Sequence, residues 1–182
     1  MIRALVIVCA LGAAASASPW KTTRGSLATG RVAGSYILSS DSAPGRYSEA
    51  GMITTEAVAL PYRLEATWRR LGPEAGRSMH VLVAGGIVLI KSGAIAFYAY
   101  DDAAFAQGDW KPIAGHQAQA PHALVIEQDK QRVIVTLDGT VVGRYDLATS
   151  RDSANIGFGM KSGPGFRSSI YVHSININGQ SQ

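Results

Sequence analysis

The chain is poor in the residues that several common kinds of protein depend on. Its one cysteine, Cys9, lies in an apolar stretch near the start, so a chain that loses this stretch contains no thiol. This excludes a disulfide scaffold, a thiolate metal site and a cysteine nucleophile. Charged residues make up 16% of the chain, and no basic run is longer than Arg69-Arg70. The basic stripe expected of a nucleic-acid-binding protein is therefore absent.

Long apolar runs are also absent. The stretch from Ala4 to Ala15 has twelve residues, whereas a membrane-spanning helix needs about 20. Arg3 precedes this stretch and Ala15-Ser16-Ala17 ends it, which is the order of a secretory signal and its cleavage site. We therefore expect residues 1–17 to be a signal peptide. The mature protein would be secreted or periplasmic, without a membrane span, and its lack of disulfides favours a bacterial source.

Helical periodicity is missing too, and short alternating apolar runs replace it. In the run from Tyr62 to Arg70, for example, Tyr62, Leu64, Ala66 and Trp68 fall on one face, and Arg63, Glu65, Thr67 and Arg69 fall on the other. This alternation is typical of a strand with one buried face. The same kind of argument predicts an all-β chain with strands at 35–39, 62–70, 79–84, 87–91, 94–100, 123–127, 132–137, 141–147, 156–160 and 170–177.

Turn residues separate these runs. Gly85-Gly86 predicts one hairpin, and Asp138-Gly139 predicts a second with a type I′ turn, in which both central residues have positive φ. Residues 18–34 have no clear period, and we expect them to lead into the domain with one short strand near their end. Removing 17 residues from 182 leaves 165, which predicts a single β-sandwich domain at 35–182.

The segment from Asp101 to Pro121 is the longest without a strand pattern. Loops of this length are often functional. We expect Asp102 to cap a short helical turn over 103–107. Asp101, Asp102 and Asp109 could instead supply oxygen ligands to calcium, and no other cofactor is expected. Trp110, between Gly108 and Pro112, is the strongest candidate for an exposed aromatic ring.

The segment from Arg132 to Leu147, which contains Leu137-Asp138-Gly139, resembles a strand–turn–strand element of the concanavalin A-like lectin/glucanase superfamily, including laminin-G-like domains. The runs 156–160 and 169–175 fit the same part of that fold. The resemblance implies an antiparallel two-sheet jelly-roll β-sandwich. It further implies that the concave face of a curved sheet, or the loops at its rim, holds a ligand, most often a glycan.

Hydrolases of this superfamily carry acidic residues spaced along one strand, as E-x-D-x-x-E, and that pattern is absent. Glu65 lies on the polar face of a clear strand, where we expect Arg63 and Arg69 to pair with it as surface residues. Relatives of the alginate-lyase type use Arg, Gln, His and Tyr. The segment Met160-Lys161-Ser162-Gly163 matches their strand only in part, and the other lyase triplets are missing.

A binding face is the remaining candidate site. If Ile95 and Phe97 face the core, Tyr98 and Tyr100 face the opposite way. Rings with cationic and imidazole donors suit a sugar, because CH groups stack on rings while hydroxyls or carboxylates take hydrogen bonds. The candidate ligand-binding residues are Arg63, Arg69, His80, Tyr98, Tyr100 and Trp110. Packing against the core is the alternative role for the three aromatic residues.

These features predict an exported, non-catalytic module that binds a poly- or oligosaccharide, with an acidic one among the candidates. Two alternatives stay open. One is a polysaccharide lyase or glycoside hydrolase with an atypical site, and the other is an envelope structural or protein-interaction domain. No catalytic residue and no metal ligand is assigned, and neither nucleic acid nor a membrane is an expected partner.

Overall fold

The computed structural model describes residues 18–71, 78–91, 93–101, 104–106, 108–117, 119–148 and 150–182, and the expected signal peptide lies outside them. Within these residues the regular structure is all strand. The strands are β1 (Trp20–Arg24), β2 (Ser26–Thr29), β3 (Tyr36–Asp41), β4 (Ser48–Thr54), β5 (Val58–Ala59), β6 (Tyr62–Leu71), β7 (Ser78–Val83), β8 (Gly86–Lys91), β9 (Ala94–Asp101), β10 (Ala104–Ala106), β11 (Lys111–Pro112), β12 (His122–Gln128), β13 (Arg132–Leu137), β14 (Thr140–Asp146), β15 (Ser153–Ala154), β16 (Gly157–Ser162), β17 (Arg167–Ile177) and β18 (Gln180–Ser181).

Two large antiparallel sheets form a sandwich. Sheet A has the strand order β1-β4-β16-β7-β8-β9-β10, and β11 also pairs with β9. Sheet B has the order β14-β13-β12-β6-β17-β3-β2, with β18 beside β17, while β5 and β15 form a separate short pair. Neighbours in each sheet are often far apart in sequence, as in β4-β16 and β6-β17. The described part of the chain has no helix long and apolar enough to cross a lipid bilayer.

The core lies between the sheets and consists of the apolar side chains of the alternating runs, which point inward. On β6, Tyr62, Leu64, Ala66 and Trp68 are buried, so the predicted apolar face is confirmed. From sheet A, residues such as Met52, Val81 and Phe158 meet them. Burial of these side chains is the main term that stabilises the sandwich, at about 1.5–3 kcal/mol for each large one.

The segment 18–34 contributes more than the single short strand expected of it. Strand β1 pairs with β4 in sheet A, and β2 pairs with β3 in sheet B. Gly25 turns the chain between the two sheets with φ of 66°, and a Cβ there would lie 2.6 Å from the Ala50 side chain. Within the described residues, both sheets therefore include strands from the segment 18–34, and the domain boundaries stay a prediction.

The two predicted hairpins are both present, but one turn is shifted. Asp138 and Gly139 have φ of 49° and 80°, as a type I′ turn requires, which confirms that prediction. The other turn is Ala84-Gly85, since Val83 pairs with Gly86 across it. Gly86 belongs to β8, where it pairs with Val83 and Ala99, and a Cβ there would lie 2.3 Å from the Phe97 ring. Packing against Phe97, rather than turn conformation, accounts for the second glycine.

The segment from Asp101 to Pro121 contains strands, so the predicted helical turn is wrong at 104–106, while its expected cap Asp102 and residues 103 and 107 lie outside the described residues. Residues 104–106 form β10, whose Phe105 pairs with Tyr100 of β9. Further on, Lys111 pairs with Ile95. The exposed backbone of β9 at the sheet edge offers hydrogen bonds to this segment, and that tertiary pairing outweighs the local helix signal.

Candidate functional site

The outer face of sheet A presents three rows of side chains that run across the strands. We call them the central row, the lysine row and the apolar row. The central row is Arg24, Gly51, Gly159, His80, Leu89 and Ala96. The lysine row is Glu49, Lys161, Ser78, Lys91 and Ala94. The apolar row is Ile53, Gly157, Leu82, Ile87 and Tyr98.

Glycines in the middle of these rows leave a groove of about 290 Å³. Gly51 and Gly159 face each other on neighbouring strands, and Gly157 lies beside them. A Cβ at Gly51 would lie 2.7 Å from the Thr23 hydroxyl oxygen, and one at Gly159 would lie 3.1 Å from the Ala50 carbonyl oxygen. Side chains at these positions would fill the depression, so the sequence keeps it open.

His80 lies in the central row between Gly159 and Leu89 and is a polar side chain of the groove lining. Its Nε2 lies 2.7 Å from the hydroxyl oxygen of Ser78, two residues earlier on the same face of β7. Burial lowers the pKa of His80 from its ordinary 6.5 to about 4, with Glu49 raising it and Lys161 lowering it further. The imidazole is therefore neutral at neutral pH, with one nitrogen donor and one acceptor.

The two ends of the groove differ in character. At one end the Arg24 guanidinium binds the Glu49 carboxylate across β1 and β4. At the other end Leu82 and Ile87 of the apolar row line the wall. A ligand that fits must therefore present polar groups at one end and CH groups at the other.

Three aromatic rings on this face each have a cation beside them. The distances from cation to ring centroid range from 4.0 to 5.7 Å, within the range of cation–π contacts. The pairs are Lys91 with Trp110, Lys161 with Tyr47, and Arg151 with Tyr100. Tyr47 is 61% exposed, which makes its ring available to a ligand.

Four of the six predicted ligand-binding residues lie on this face, and Tyr98 and Tyr100 point away from Ile95 and Phe97 as expected. His80 lies in the groove, and Trp110 lies beside Lys91 at the edge strand. Whether they bind a ligand stays a prediction.

Arg63 and Arg69 are elsewhere, so the expectation that they share this face is wrong. They lie on β6, which joins sheet B between β12 and β17. Arg63 bonds the carboxylates of Glu65 and Glu127 at 2.8 and 2.6 Å, and these bonds raise its pKa. The predicted surface pairing of Glu65 is thereby confirmed for Arg63. Arg69 lies 5.9 Å from the centroid of the Tyr171 ring.

Residues that the sequence analysis did not assign complete the site. They are Tyr47, Glu49, Gly51, Lys91, Gly159 and Lys161. A local signal exists for those on and beside β4, because outward and inward residues alternate there. Three of the inward residues, Ala50, Met52 and Thr54, are buried. Their pairing with β16 has no local signal, since it joins residues more than 100 positions apart.

The calcium prediction falls partly outside the described residues. Asp102 and the side chain of Asp101 are among those left out, and Asp109 is exposed. Among the residues that are described, no group of three or more His, Cys, Asp or Glu side chains is placed to hold a metal ion. Calcium binding stays a prediction.

No protein-family model and no curated protein matches the sequence. Solved structures do match. The carbohydrate binding module CBM66 from Bacillus subtilis aligns with a TM-score of 0.65 at 11% identity, over 88% of this chain and 95% of that one. A family 16 glycoside hydrolase, an endo-glucanase from Bacteroides ovatus, aligns with a TM-score of 0.63 at 14% identity, over 87% of this chain and 94% of that one. Sheep galectin-11 aligns with a TM-score of 0.56 at 11% identity, over 67% of this chain and 94% of that one.

The fold is the concanavalin A-like jelly roll. The resemblance drawn from the Leu137-Asp138-Gly139 turn and its flanking strands is thereby confirmed. Both binding modules and hydrolases share this jelly roll, so the fold by itself does not separate binding from catalysis. That distinction depends on the residues of the groove.

Proposed function

We propose that this protein is an exported, non-catalytic carbohydrate-binding module that holds a poly- or oligosaccharide in the groove of sheet A. The observation that carries the proposal is the glycine-lined groove on a face with three cation-paired aromatic rings. The carbohydrate-binding and carbohydrate-cleaving proteins that share the fold support it at the level of the fold.

The chemistry of the groove suits sugar hydroxyls and CH groups. An aromatic ring stacks on the apolar face of a pyranose, and Tyr47 and Trp110 lie outside the groove lining, beside Lys161 and Lys91 of the lysine row. With Nε2 bonded to Ser78, the neutral imidazole of His80 has Nδ1 left to form one hydrogen bond with a sugar hydroxyl. Leu82 and Ile87 provide an apolar wall for the CH groups at one end.

An acidic glycan is the partner that the charges favour. Lys91, Lys161 and Arg151 each contact an aromatic ring on this face, and Glu49, the cross-strand neighbour of Lys161, is held in an ion pair by Arg24. A carboxylate or sulfate on the ligand would find charge-assisted donors there.

Binding without cleavage is supported by the acidic residues of the groove. Hydrolysis of a glycosidic bond uses two carboxyl groups about 5 to 9.5 Å apart. Among the described residues that line the groove, Glu49 is the one carboxylate, and Arg24 holds it in an ion pair. Export is supported by the signal-like sequence of residues 1–17.

The proposal is tested by a glycan array probed with the mature chain, residues 18–182, with and without calcium. We expect selective retention of one class of saccharide, and mass spectrometry of the retained saccharide should show it uncleaved. A chain that retains no saccharide would refute the proposal. Release of shorter products would replace the binding module with an enzyme.

A groove variant connects the array result to the site. Gly159→Val should abolish retention, because its side chain would occupy the groove while a β-branched residue suits a strand. Gly159→Ala is the milder version, and Thr67→Val, at an outward position of sheet B, is the matched control. Circular dichroism establishes that each variant is folded before its binding is compared.

A further inference from the structure

The two lysines of the lysine row stand at a fixed separation across the strands. Lys161 on β16 pairs with Ser78 on β7, and Ser78 pairs with Lys91 on β8. Two strand spacings separate the two lysines, so their backbones lie about 10 Å apart. This is about the length of a disaccharide.

Each ammonium group is held in place by an aromatic ring. The Lys91 Nζ lies 4.0 Å from the centroid of Trp110, and the Lys161 Nζ lies 5.0 Å from that of Tyr47. A lysine side chain loses much rotamer freedom when it binds an anion, and a ring that already orders it lowers this cost. Neither ammonium pairs with a carboxylate within the described ranges of the chain.

The groups between the lysines are neutral. Ser78 lies in the row itself, and its hydroxyl bonds His80, whose imidazole is uncharged at neutral pH. From Lys161 to Lys91 the row therefore consists of a cation, a neutral hydrogen-bonding group and a cation, while Glu49, on the other side of Lys161, is paired with Arg24. A matching ligand carries an anion, a neutral polar residue and an anion in the same order.

We infer that the groove face selects an acidic polysaccharide whose anionic groups recur on alternate sugar residues, bound with its chain across the strands of sheet A. Lys161 and Lys91 each take one carboxylate or sulfate, and Ser78 and His80 contact the neutral sugar between them. Tyr47 and Trp110 stack on the two sugars that carry the anions. The inference rests on the proposed glycan-binding function and adds the charge, spacing and direction of the ligand.

Calorimetric titration with oligosaccharides of defined length tests it. The probes are a disaccharide and a tetrasaccharide that alternate glucuronate with N-acetylglucosamine, and uncharged cellotetraose. The tetrasaccharide reaches both lysines, whereas the disaccharide reaches one. We expect the tetrasaccharide to bind at least about tenfold more tightly, because the second contact is intramolecular.

Lysine variants locate the effect. Lys91→Gln and Lys161→Gln should each remove most of the gain from disaccharide to tetrasaccharide, and leave disaccharide binding within about fivefold, as expected for one exposed ion pair. Lys130→Gln, whose side chain pairs with Asp152 instead, is the matched control and should keep the full gain.

The outcomes separate this inference from the proposed function. If cellotetraose binds as tightly as the charged tetrasaccharide and Gly159→Val abolishes both, the glycan site stands and the charge selection is wrong. If none of these three probes binds while the array retains another saccharide, the glycan site stands and the charge selection is wrong, whereas an array with no retained saccharide refutes both. If inorganic polyphosphate binds as tightly as the tetrasaccharide and loses affinity in the same lysine variants, the face is a general polyanion surface and the inference is overturned.

Discussion

The side-chain amide of Gln128, on sheet B, pairs with the backbone of Ala84, at the end of sheet A. Its Nε2 donates to the Ala84 carbonyl at 2.6 Å, and its Oε1 accepts from the Ala84 N–H at 3.1 Å. The same Oε1 accepts from the buried Tyr62 hydroxyl at 2.5 Å. One buried side chain therefore joins the two sheets beside the turn that leads into β8, close to the Tyr100 end of the candidate site.

Loss of this amide should destabilise the sandwich. Gln128→Ala would leave the N–H and C=O of Ala84 and the Tyr62 hydroxyl buried without these partners, at a cost of about 2–4 kcal/mol. Urea denaturation followed by tryptophan fluorescence measures the change. Gln131→Ala, at an exposed position, is the control and should change stability by less than about 0.5 kcal/mol. Equal stabilities for the two variants would show that the bridge is dispensable.

The neutral state of His80 predicts a pH dependence of stability. Its pKa is about 4 in the folded protein and 6.5 without burial, so the unfolded chain binds more protons between these values. The free energy of unfolding should therefore fall by about 1–3 kcal/mol as the pH drops from 6.5 towards 4, because the unfolded chain takes up a proton at His80 that the folded chain does not. Thermal melts at steps across this range should show a smaller loss for His80→Gln than for the unmodified chain. Identical pH profiles would contradict burial as the cause.

The Tyr47 ring should contribute to binding but not to folding. It is 61% exposed, so Tyr47→Ala removes little packing, while it removes one stacking surface worth about 0.5–1.5 kcal/mol. We expect affinity for a bound saccharide to fall by up to about tenfold with an unchanged melting temperature. Tyr47→Phe keeps the ring and should keep the affinity. A loss of affinity in Tyr47→Phe as large as that in Tyr47→Ala would assign the effect to the hydroxyl instead.

Arg63 and Arg69 should not affect glycan binding. Both lie on sheet B, on the other side of the core from the groove. Arg63→Ala breaks two exposed ion pairs, which should cost about 1 kcal/mol of stability or less. Saccharide titration with Arg63→Ala and Arg69→Ala should match that of the unmodified chain. Weaker binding by either variant would move the ligand, or part of it, to the face of sheet B.

The sequence predicted the features that depend on local patterns. Alternation along Tyr62–Trp68 correctly assigned the buried face of β6, and Asp138-Gly139 correctly assigned a type I′ turn. Both follow from the conformation of a few consecutive residues. The strand–turn–strand resemblance around that turn was sufficient to predict the jelly roll.

The predictions that failed depend on contacts between distant parts of the chain. Alternation places Arg63 and His80 on polar faces, but it does not say that β6 joins one sheet and β7 the other. Likewise, the groove exists because Gly51 and Gly159, more than 100 residues apart, become neighbours. The sheet to which each strand belongs is decided by the packing of the whole sandwich, which no short segment encodes.

The central claim is that the groove of sheet A binds a glycan, and one titration tests it most directly. The saccharide selected on the array is titrated into the unmodified chain, Gly159→Ala and Gly159→Val, each shown to be folded. We predict that affinity falls in that order, by at least about tenfold for the valine, since overfilling a packed site costs about 1–3 kcal/mol. Equal affinity in all three chains would contradict the claim and place the binding site outside the groove.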